Sequence, residues 1–461
     1  MKRREFSVAA ASALAGGLLW PVQVQGARPR PSPAQLAWQR DEFALFLHFG
    51  VNTFTDREWG DGHEDPALFN PARLDARQWA NAARAAGARA LILTAKHHDG
   101  FCLWPTRLTP HSVASSPWRG GAGDVVREFT DACRRAGLRA GLYLSPWDRN
   151  APVYGDSLRY NDFYCDQLTE LLTRYGPIAE VWFDGANGEG PNGRRQVYDW
   201  PRVFALVRKL QPHAVMFSDA GPDVRWCGNE AGAAGDPNWS TIHPAAVPYP
   251  GAPGGAVIAA LQHGDPHGSV WRPAETDVSI RPGWFYHAAE DEQVKTVDQL
   301  TDIWFTSVGR NSKLLLNVPP TREGLLHATD VARLTGLRAR LTAQFSDDMA
   351  FGRRVLWRDT GPRTGIAEID LGRTVNAGIV RLEEDIVQGQ RVARYAVHGT
   401  VDGTWQELSR GTTVGYRKLD RFDAVPVRRV RVTVEAAVAS LPSRLRIGLY
   451  RPGASGAGSP G

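Results

Sequence analysis

Asp184 ends the run Ile178 to Phe183, which is apolar enough for a buried strand, and Gly185 follows it. A strand buried on both faces that stops at a carboxylate and a glycine can turn sharply and leave the carboxylate at the mouth of a sheet or barrel. Such an aspartate serves either as a catalytic group or as the cap of the next helix, and its neighbours decide between the two. Two further strand-like runs end in histidines: Phe43 to Leu47 before His48-Phe49-Gly50, and Ala90 to Thr94 before Lys96-His97-His98-Asp99-Gly100. Tyr143 stands near the end of a third, Arg139 to Leu144, and the polar loop from Asn52 to Asn70 holds Glu58-Trp59. Two chemistries use such a set. A metal-dependent hydrolase needs ligands on one strand face, but adjacent His97 and His98 would point oppositely on a regular strand, and the chain has no His-x-His or His-Glu-x-x-His. A glycoside-cleaving site instead needs two carboxyl groups, with His, Tyr, Glu and Trp side chains to bind the sugar.

The elements that must position these groups alternate. Helices are expected from the cap at Asp75 through Ala86, over Asp124 to Ala136, around Asn161 to Arg174, and around Pro201 to Leu210 before a strand at Ala214 to Phe217. An irregular stretch rich in Gly and Pro runs from Asp219 to Gly268; loops of that length are usually functional. A helix over Gln293 to Ser307, a strand over Lys313 to Asn317 and a helix over Ala328 to Phe345 close this half, with Lys313 read as structural. Repeated strand and helix with no Gly-x-Gly-x-x-Gly turn after the first strand, and no Gly-Lys-Ser/Thr loop anywhere, argues against nucleotide-binding folds. It predicts an α/β, TIM-like (β/α) barrel over 35–345, whose strand ends gather His48, His97, His98, Tyr143 and Asp184 around one pocket.

From Gly352 the helical period disappears. Short strand-like runs at Ile379 to Leu382, Tyr395 to Gly399, Val427 to Val434 and Leu445 to Tyr450 predict an all-β sandwich over 352–451, followed by a disordered tail over 452–461. Trp405 and Tyr416 are its candidate sugar-binding aromatics, but the sandwich is read as a buttress for the barrel.

A length of 461 residues fits two domains. The net charge of +5 comes from scattered arginines with no basic arm, which argues against a nucleic-acid partner. The chain holds 16 tryptophans, the residue type best suited to stacking on sugar faces. Residues 1–27 have the order of an export signal: Lys2-Arg3-Arg4-Glu5-Phe6, an apolar run from Val8 to Trp20, and small residues near Gly26, a pattern resembling a twin-arginine leader. That run is short for a membrane span and no other stretch qualifies, so no stable membrane insertion is expected and the protein is placed in the periplasm or outside the cell. Cys102, Cys133, Cys165 and Cys227 are too few and too widely spaced for a disulfide framework or a zinc site, and their number fixes no pairing.

Five motifs in order, His48-Phe49-Gly50, Glu58-Trp59, Lys96 to Phe101, Val181-Trp182-Phe183-Asp184-Gly185 and Gly283-Trp284-Phe285-Tyr286, resemble glycoside hydrolase family 29, the α-L-fucosidases, from about Trp38 to Asn317. The resemblance implies a retaining mechanism with Asp184 as nucleophile, no cofactor, no metal, and a fucosylated oligosaccharide or glycoconjugate as partner. Arg225-Trp226-Cys227-Gly228-Asn229-Glu230 resembles the branch selective for α-1,3 and α-1,4 linkages, which makes Glu230 the acid–base, with Glu189 and Glu275 as rivals. By the family pattern His48, Glu58, Trp59, His97, His98, Tyr143 and Trp284 line the sugar pocket. Asp184 must then stay ionised while Glu230 holds a proton, which Trp226 and a nearby carboxylate would favour. The readings from other classes are a non-catalytic glycan-binding protein on a degenerate barrel and a metal-dependent hydrolase at the histidines.

Overall fold

The computed structural model describes residues 28–441 and 445–453; the leader-like segment 1–27 and most of the expected tail lie outside it. Eight parallel strands, Phe43–Leu47, Ala90–Lys96, Arg139–Leu144, Glu180–Trp182, Val215–Phe217, Arg225–Trp226, Ala274–Ser279 and Lys313–Asn317, pair in chain order, the last beside the first. A parallel bridge between Phe217 and Val224 joins the fifth strand to the sixth and completes the ring. Helices follow every strand except the fifth. Four of them start where an aspartate, Asp75, Asp124, Asp156 or Asp199, accepts a backbone N–H of the first turn. Two of these stop at Gly87 and Gly137, whose left-handed conformations a side chain would resist. The helix Ala76–Ala86 buries Ala76, Trp79, Ala80, Ala83 and Ala86, a single stripe at helical spacing that seats it on the sheet.

The stretch Asp219 to Gly268, expected to be irregular, contains the sixth strand and the helix Gly255–His263, while Thr241–Ile242 pairs with Val270–Trp271. The sixth strand hides behind a fully buried arginine. Arg225 donates to the carbonyls of Leu261 and Arg272 and to Asn238, so backbone acceptors replace water around its charge. The seventh strand, Ala274-Glu275-Thr276-Asp277-Val278-Ser279, likewise reads as polar because Glu275 and Asp277 turn inward.

The barrel interior has an ionic floor. Lys313 Nζ lies 2.7 Å from Glu180 and 3.2 Å from Glu275, beneath the ring of Trp38 at 4.7 Å. Trp38 donates to Glu180 at 3.0 Å and Trp182 to Glu275 at 3.0 Å. One ammonium faces two carboxyls, and burial first, then the charge of Glu180, hold Glu275 protonated well above the usual carboxyl range. All four cysteines are buried free thiols. Among the described residues no helix is long and apolar enough to cross a membrane.

Beyond the barrel, six antiparallel strands run from Leu356 to Tyr450. The two longest, Thr364–Glu384 and Lys418–Ala437, break register near Asp370 and Ala377, bending around a core that includes Ala367, Ile369, Leu382, Val397, Val430 and Val432. Two ion pairs and a hydrogen bond fasten this sheet to the barrel: Arg417 pairs with Glu42 at 2.7 Å, the Tyr416 hydroxyl donates to Glu42 at 2.8 Å, and Lys418 pairs with Asp236 at 2.6 Å. Asn311 accepts the Tyr416 N–H at 2.7 Å, and a Cβ on Gly415 would meet its side chain at 2.4 Å. Tyr416 is therefore a junction residue, and Trp405 lies under Arg431 at 4.1 Å.

Replacing Lys313 by Met should destabilise the protein by about 3 kcal/mol or more, since the buried carboxyls of Glu180 and Glu275 are left without the cation they share. Urea unfolding checks this, and adding Glu180→Gln and Glu275→Gln should recover much of the loss.

Candidate active site

The C-terminal ends of the strands open into a cavity of about 370 Å³. His48, Glu58, Trp59, His97, His98, Tyr143, Asp184, Glu230 and Trp284 all line it, together with Phe46, Trp182, Asp219, Trp226 and Asp277. Asp184 is placed by the fourth strand, whose regular part is Glu180–Trp182. Phe183 N–H still bonds the Phe217 carbonyl at 3.0 Å, and the chain then turns at Gly185. Tyr143 donates its hydroxyl to Asp184 Oδ2 at 3.0 Å and Ala186 N–H donates to Oδ1 at 2.7 Å, so both carboxylate oxygens are oriented.

The adjacent histidines do not point oppositely. The second strand ends at Lys96, which reaches away to Asp148 and Gln167 at 2.8 and 2.9 Å. His97 and His98 lie beyond the strand with ring centres 4.1 Å apart, and both face the cavity. Hydrogen bonding sets their tautomers. Ser145 gives its hydroxyl proton to the Trp147 carbonyl at 2.6 Å, so it accepts from His98 Nδ1–H at 2.7 Å. His98 then turns a bare Nε2 toward the site, 3.9 Å from Asp184 Oδ2. Asn317 spends its amide protons on Ser279 and the Trp284 carbonyl, so its oxygen accepts from His48 Nδ1–H at 2.9 Å and leaves His48 Nε2 bare as well. His97 Nδ1 is buried without a partner, which favours the proton on Nε2. Burial, the largest cause, lowers all three imidazoles below their usual range, His48 to about 3, so the cluster is neutral. Among the described residues no three His, Cys, Asp or Glu side chains converge as a metal-binding group.

Glu230 sits at the mouth on the loop after the sixth strand and accepts from the Trp284 indole at 3.2 Å. Although the residue is exposed overall, its carboxyl is flanked by protein. That enclosure, followed by the charges of Asp184 and Glu58, raises its pKa against the Trp284 hydrogen bond. Glu275 belongs to the ionic floor and does not line the cavity, and Glu189 is exposed, its carbonyl held by the Trp147 indole. Neither rival is brought to the site.

Two carboxyls of the cavity were not anticipated. Asp219 follows the fifth strand and accepts the Gly251 N–H at 2.9 Å, and burial, with Asp184 adding like charge, pushes it up to about 6. Asp277, on the unrecognised seventh strand, accepts from the Trp226 indole at 2.8 Å and is raised well above the usual range by burial and by Glu230. Asp219 had a legible signal, a carboxylate directly after the strand ending at Phe217; Asp277 had none, because its strand does not read as one. Behind the site, Asp99 accepts from Asn52 Nδ2 at 3.0 Å and Phe101 N–H at 2.7 Å, anchoring the loop that carries Glu58 and Trp59.

A carboxyl whose folded pKa lies near 6 rather than 3.8 binds its proton more tightly in the folded state, so its contribution to stability is full below pH 4 and lost as pH rises to about 6. Asp219→Asn removes that loss. Urea unfolding should show the variant matching the wild type at pH 4 and exceeding it by about 2 kcal/mol at pH 7.

The α-L-fucosidase family model matches residues 54–343. Alpha-L-fucosidase 1 of Arabidopsis thaliana is 43% identical over 460 residues, covering 93% of this chain and 88% of that protein. The crystal structure of a glycoside hydrolase 29 family member from an unknown rumen bacterium superposes with a TM-score of 0.85 at 41% identity, covering 92% of this chain and 78% of that one. The Ruminococcus gnavus GH29 fucosidase in complex with fucose gives a TM-score of 0.83 at 31% identity, covering 92% and 96%. The chain belongs to the α-L-fucosidases, glycoside hydrolase family 29.

Proposed function

We propose that the protein is a retaining α-L-fucosidase that releases terminal α-1,3- or α-1,4-linked L-fucose from branched glycans by double displacement. The observation that carries this is the contrast between two carboxyls of one cavity: Asp184, oriented by Tyr143 and Ala186, and Glu230, whose surroundings favour its proton. Asp184 attacks the anomeric carbon while Glu230 gives its proton to the leaving oxygen, so the glycosidic bond breaks as the glycosyl-enzyme forms. Glu230, now a carboxylate, takes a proton from water; the water oxygen bonds to the anomeric carbon and the Asp184 carboxylate departs. The bare Nε2 atoms of His48 and His98 accept sugar hydroxyl protons and His97 Nε2–H donates to a hydroxyl oxygen. Phe46, Trp182 and Trp284 offer apolar faces to the ring and its methyl group. Neutral histidines suit this role, because imidazolium ions beside Asp184 would weaken it as a nucleophile.

The linkage preference is supported by the segment Arg225 to Glu230. Its buried Arg225 and the Trp226–Asp277 bond anchor the base of the loop that carries the acid at the mouth, where a leaving sugar would lie. The basic, apolar leader of residues 1–27 supports action in the periplasm or outside the cell.

Asp184→Ala and Glu230→Ala should each lower fucose release from a Lewis-type trisaccharide by about 10²-fold or more. Azide should restore turnover of an activated aryl fucoside by Glu230→Ala, since it attacks the glycosyl-enzyme without a base. A Glu230→Ala enzyme with wild-type rates would remove Glu230 from the mechanism. For the wild type, kcat/KM on α-1,3/1,4-fucosylated trisaccharides should exceed that on simple aryl fucosides, and the reverse order would defeat the linkage reading.

A further inference from the structure

We propose that His287 is a positioning residue, a doubly protonated imidazole that clasps the loop after the first strand to the loop after the seventh and thereby sets the orientation of Glu230. This deepens the proposed mechanism and rests on Glu230 being its acid–base. His287 Nδ1 lies 2.8 Å from Asp56 Oδ1, and Nε2 lies 2.7 Å from Glu58 Oε1. An ionised carboxylate only accepts, so short contacts at both ring nitrogens require a hydrogen on each, and the ring is an imidazolium. The next link is Glu58. Its Oε2 accepts the Trp284 N–H at 2.8 Å and its Oε1 accepts the Phe285 N–H at 3.0 Å, so one carboxylate holds two successive amides of the opposite loop. Gly283 permits this approach, because a Cβ there would sit 2.5 Å from Glu58 Oε1. The Trp284 carbonyl is held from the other side by Asn317 at 2.8 Å, and its indole donates to Glu230 at 3.2 Å.

The sequence of contacts therefore runs from Asp56 through His287, Glu58 and the Trp284 peptide to the carboxyl of Glu230. The charged groups around the ring are Asp56 and Glu58 from the facing loop and Glu290 from its own, with Arg322, Glu323 and His327 along the neighbouring hollow that Asp56 also lines. Burial alone would lower the imidazole, but the hydrogen bonds to Asp56 and Glu58 and the surrounding acids outweigh it, leaving the pKa above 6.5. Glu58 consequently has a structural duty besides facing the sugar: both of its oxygens are engaged before any substrate arrives.

Leaving-group dependence tests this. A substrate with a poor leaving group needs the proton from Glu230, whereas an activated aryl fucoside does not. His287→Gln should lower kcat/KM for a Lewis-type trisaccharide by about 30-fold, a fraction of the 10²–10⁴ that acid–base catalysis supplies, and lower it for an activated aryl fucoside by less than about 3-fold. His287→Arg, which keeps the charge and paired donors, should recover much of the loss. Asp56→Asn at the exposed end of the clasp should reproduce the selective loss at about 3-fold, and serves if His287→Gln folds poorly. In nitrogen-15 histidine spectra, the ring identified by its absence from His287→Gln should remain an imidazolium at pH 7. Equal losses on both substrates, no loss on either, or a neutral ring at pH 7 would overturn the proposal. Glu230→Ala measured alongside separates the two levels: if it shows no leaving-group dependence, the assignment of the acid fails and not the clasp alone.

Discussion

Lys313 reaches across the inside of the barrel from the eighth strand to Glu180 on the fourth and Glu275 on the seventh, and these three strands carry much of the active site. An ammonium with two carboxyl partners has little freedom to slide, and in a dry interior any displacement leaves a charge uncompensated. The contact therefore sets the strands at a common depth. From that depth the fourth strand delivers Asp184, the seventh delivers Asp277 and leads to Trp284, and the eighth delivers Asn317, which orients both His48 and Trp284. Trp182 forms the boundary between floor and cavity. Its indole donates downward to Glu275 while its ring stacks on Phe217 at 4.0 Å and lines the cavity above.

Above that boundary most of the titratable groups around Asp184 are pushed toward neutrality, while Glu58 is tied at the rim by the Trp284 and Phe285 N–H groups and by His287. His48, His97 and His98 are stripped of charge by burial, and Asp277 and Asp219 are pushed toward their protonated forms. A cavity holding five carboxyls and three imidazoles in low dielectric is stable only if most of them are neutral. Within that set Asp184 is the carboxyl fixed at the pocket's centre, with Tyr143 and Ala186 donating one hydrogen bond to each of its oxygens.

How much of this was readable depended on where each side chain points. Parallel barrel strands buried on both faces appear as largely apolar runs, so Phe43 to Leu47, Ala90 to Thr94, Ile178 to Phe183 and Lys313 to Asn317 were legible, and with the first three the polar residues His48, His97, His98 and Asp184 that follow them. The seventh strand broke that pattern because its inward positions are Glu275 and Asp277, which Lys313, Trp182 and Trp226 satisfy from distant parts of the chain. Pairing of that kind has no local signature, and it is also why Glu275 looked like a rival acid when it belongs to the floor. The helix Gly255–His263 did have one, the run Ala256-Val257-Ile258-Ala259-Ala260-Leu261, obscured by the glycines and prolines before it. The opposition expected of His97 and His98 assumed a strand that in fact ends one residue earlier.

The four buried thiols have a consequence for where this molecule can be made. Cys102, Cys133, Cys165 and Cys227 lie apart in the barrel, and burial raises each thiol above its usual range, Cys227 to about 12, which suppresses the reactive thiolate. With every thiol free, folding needs no thiol oxidant and no choice among disulfide pairings. Its cysteines accordingly set no requirement for either a reducing or an oxidising compartment.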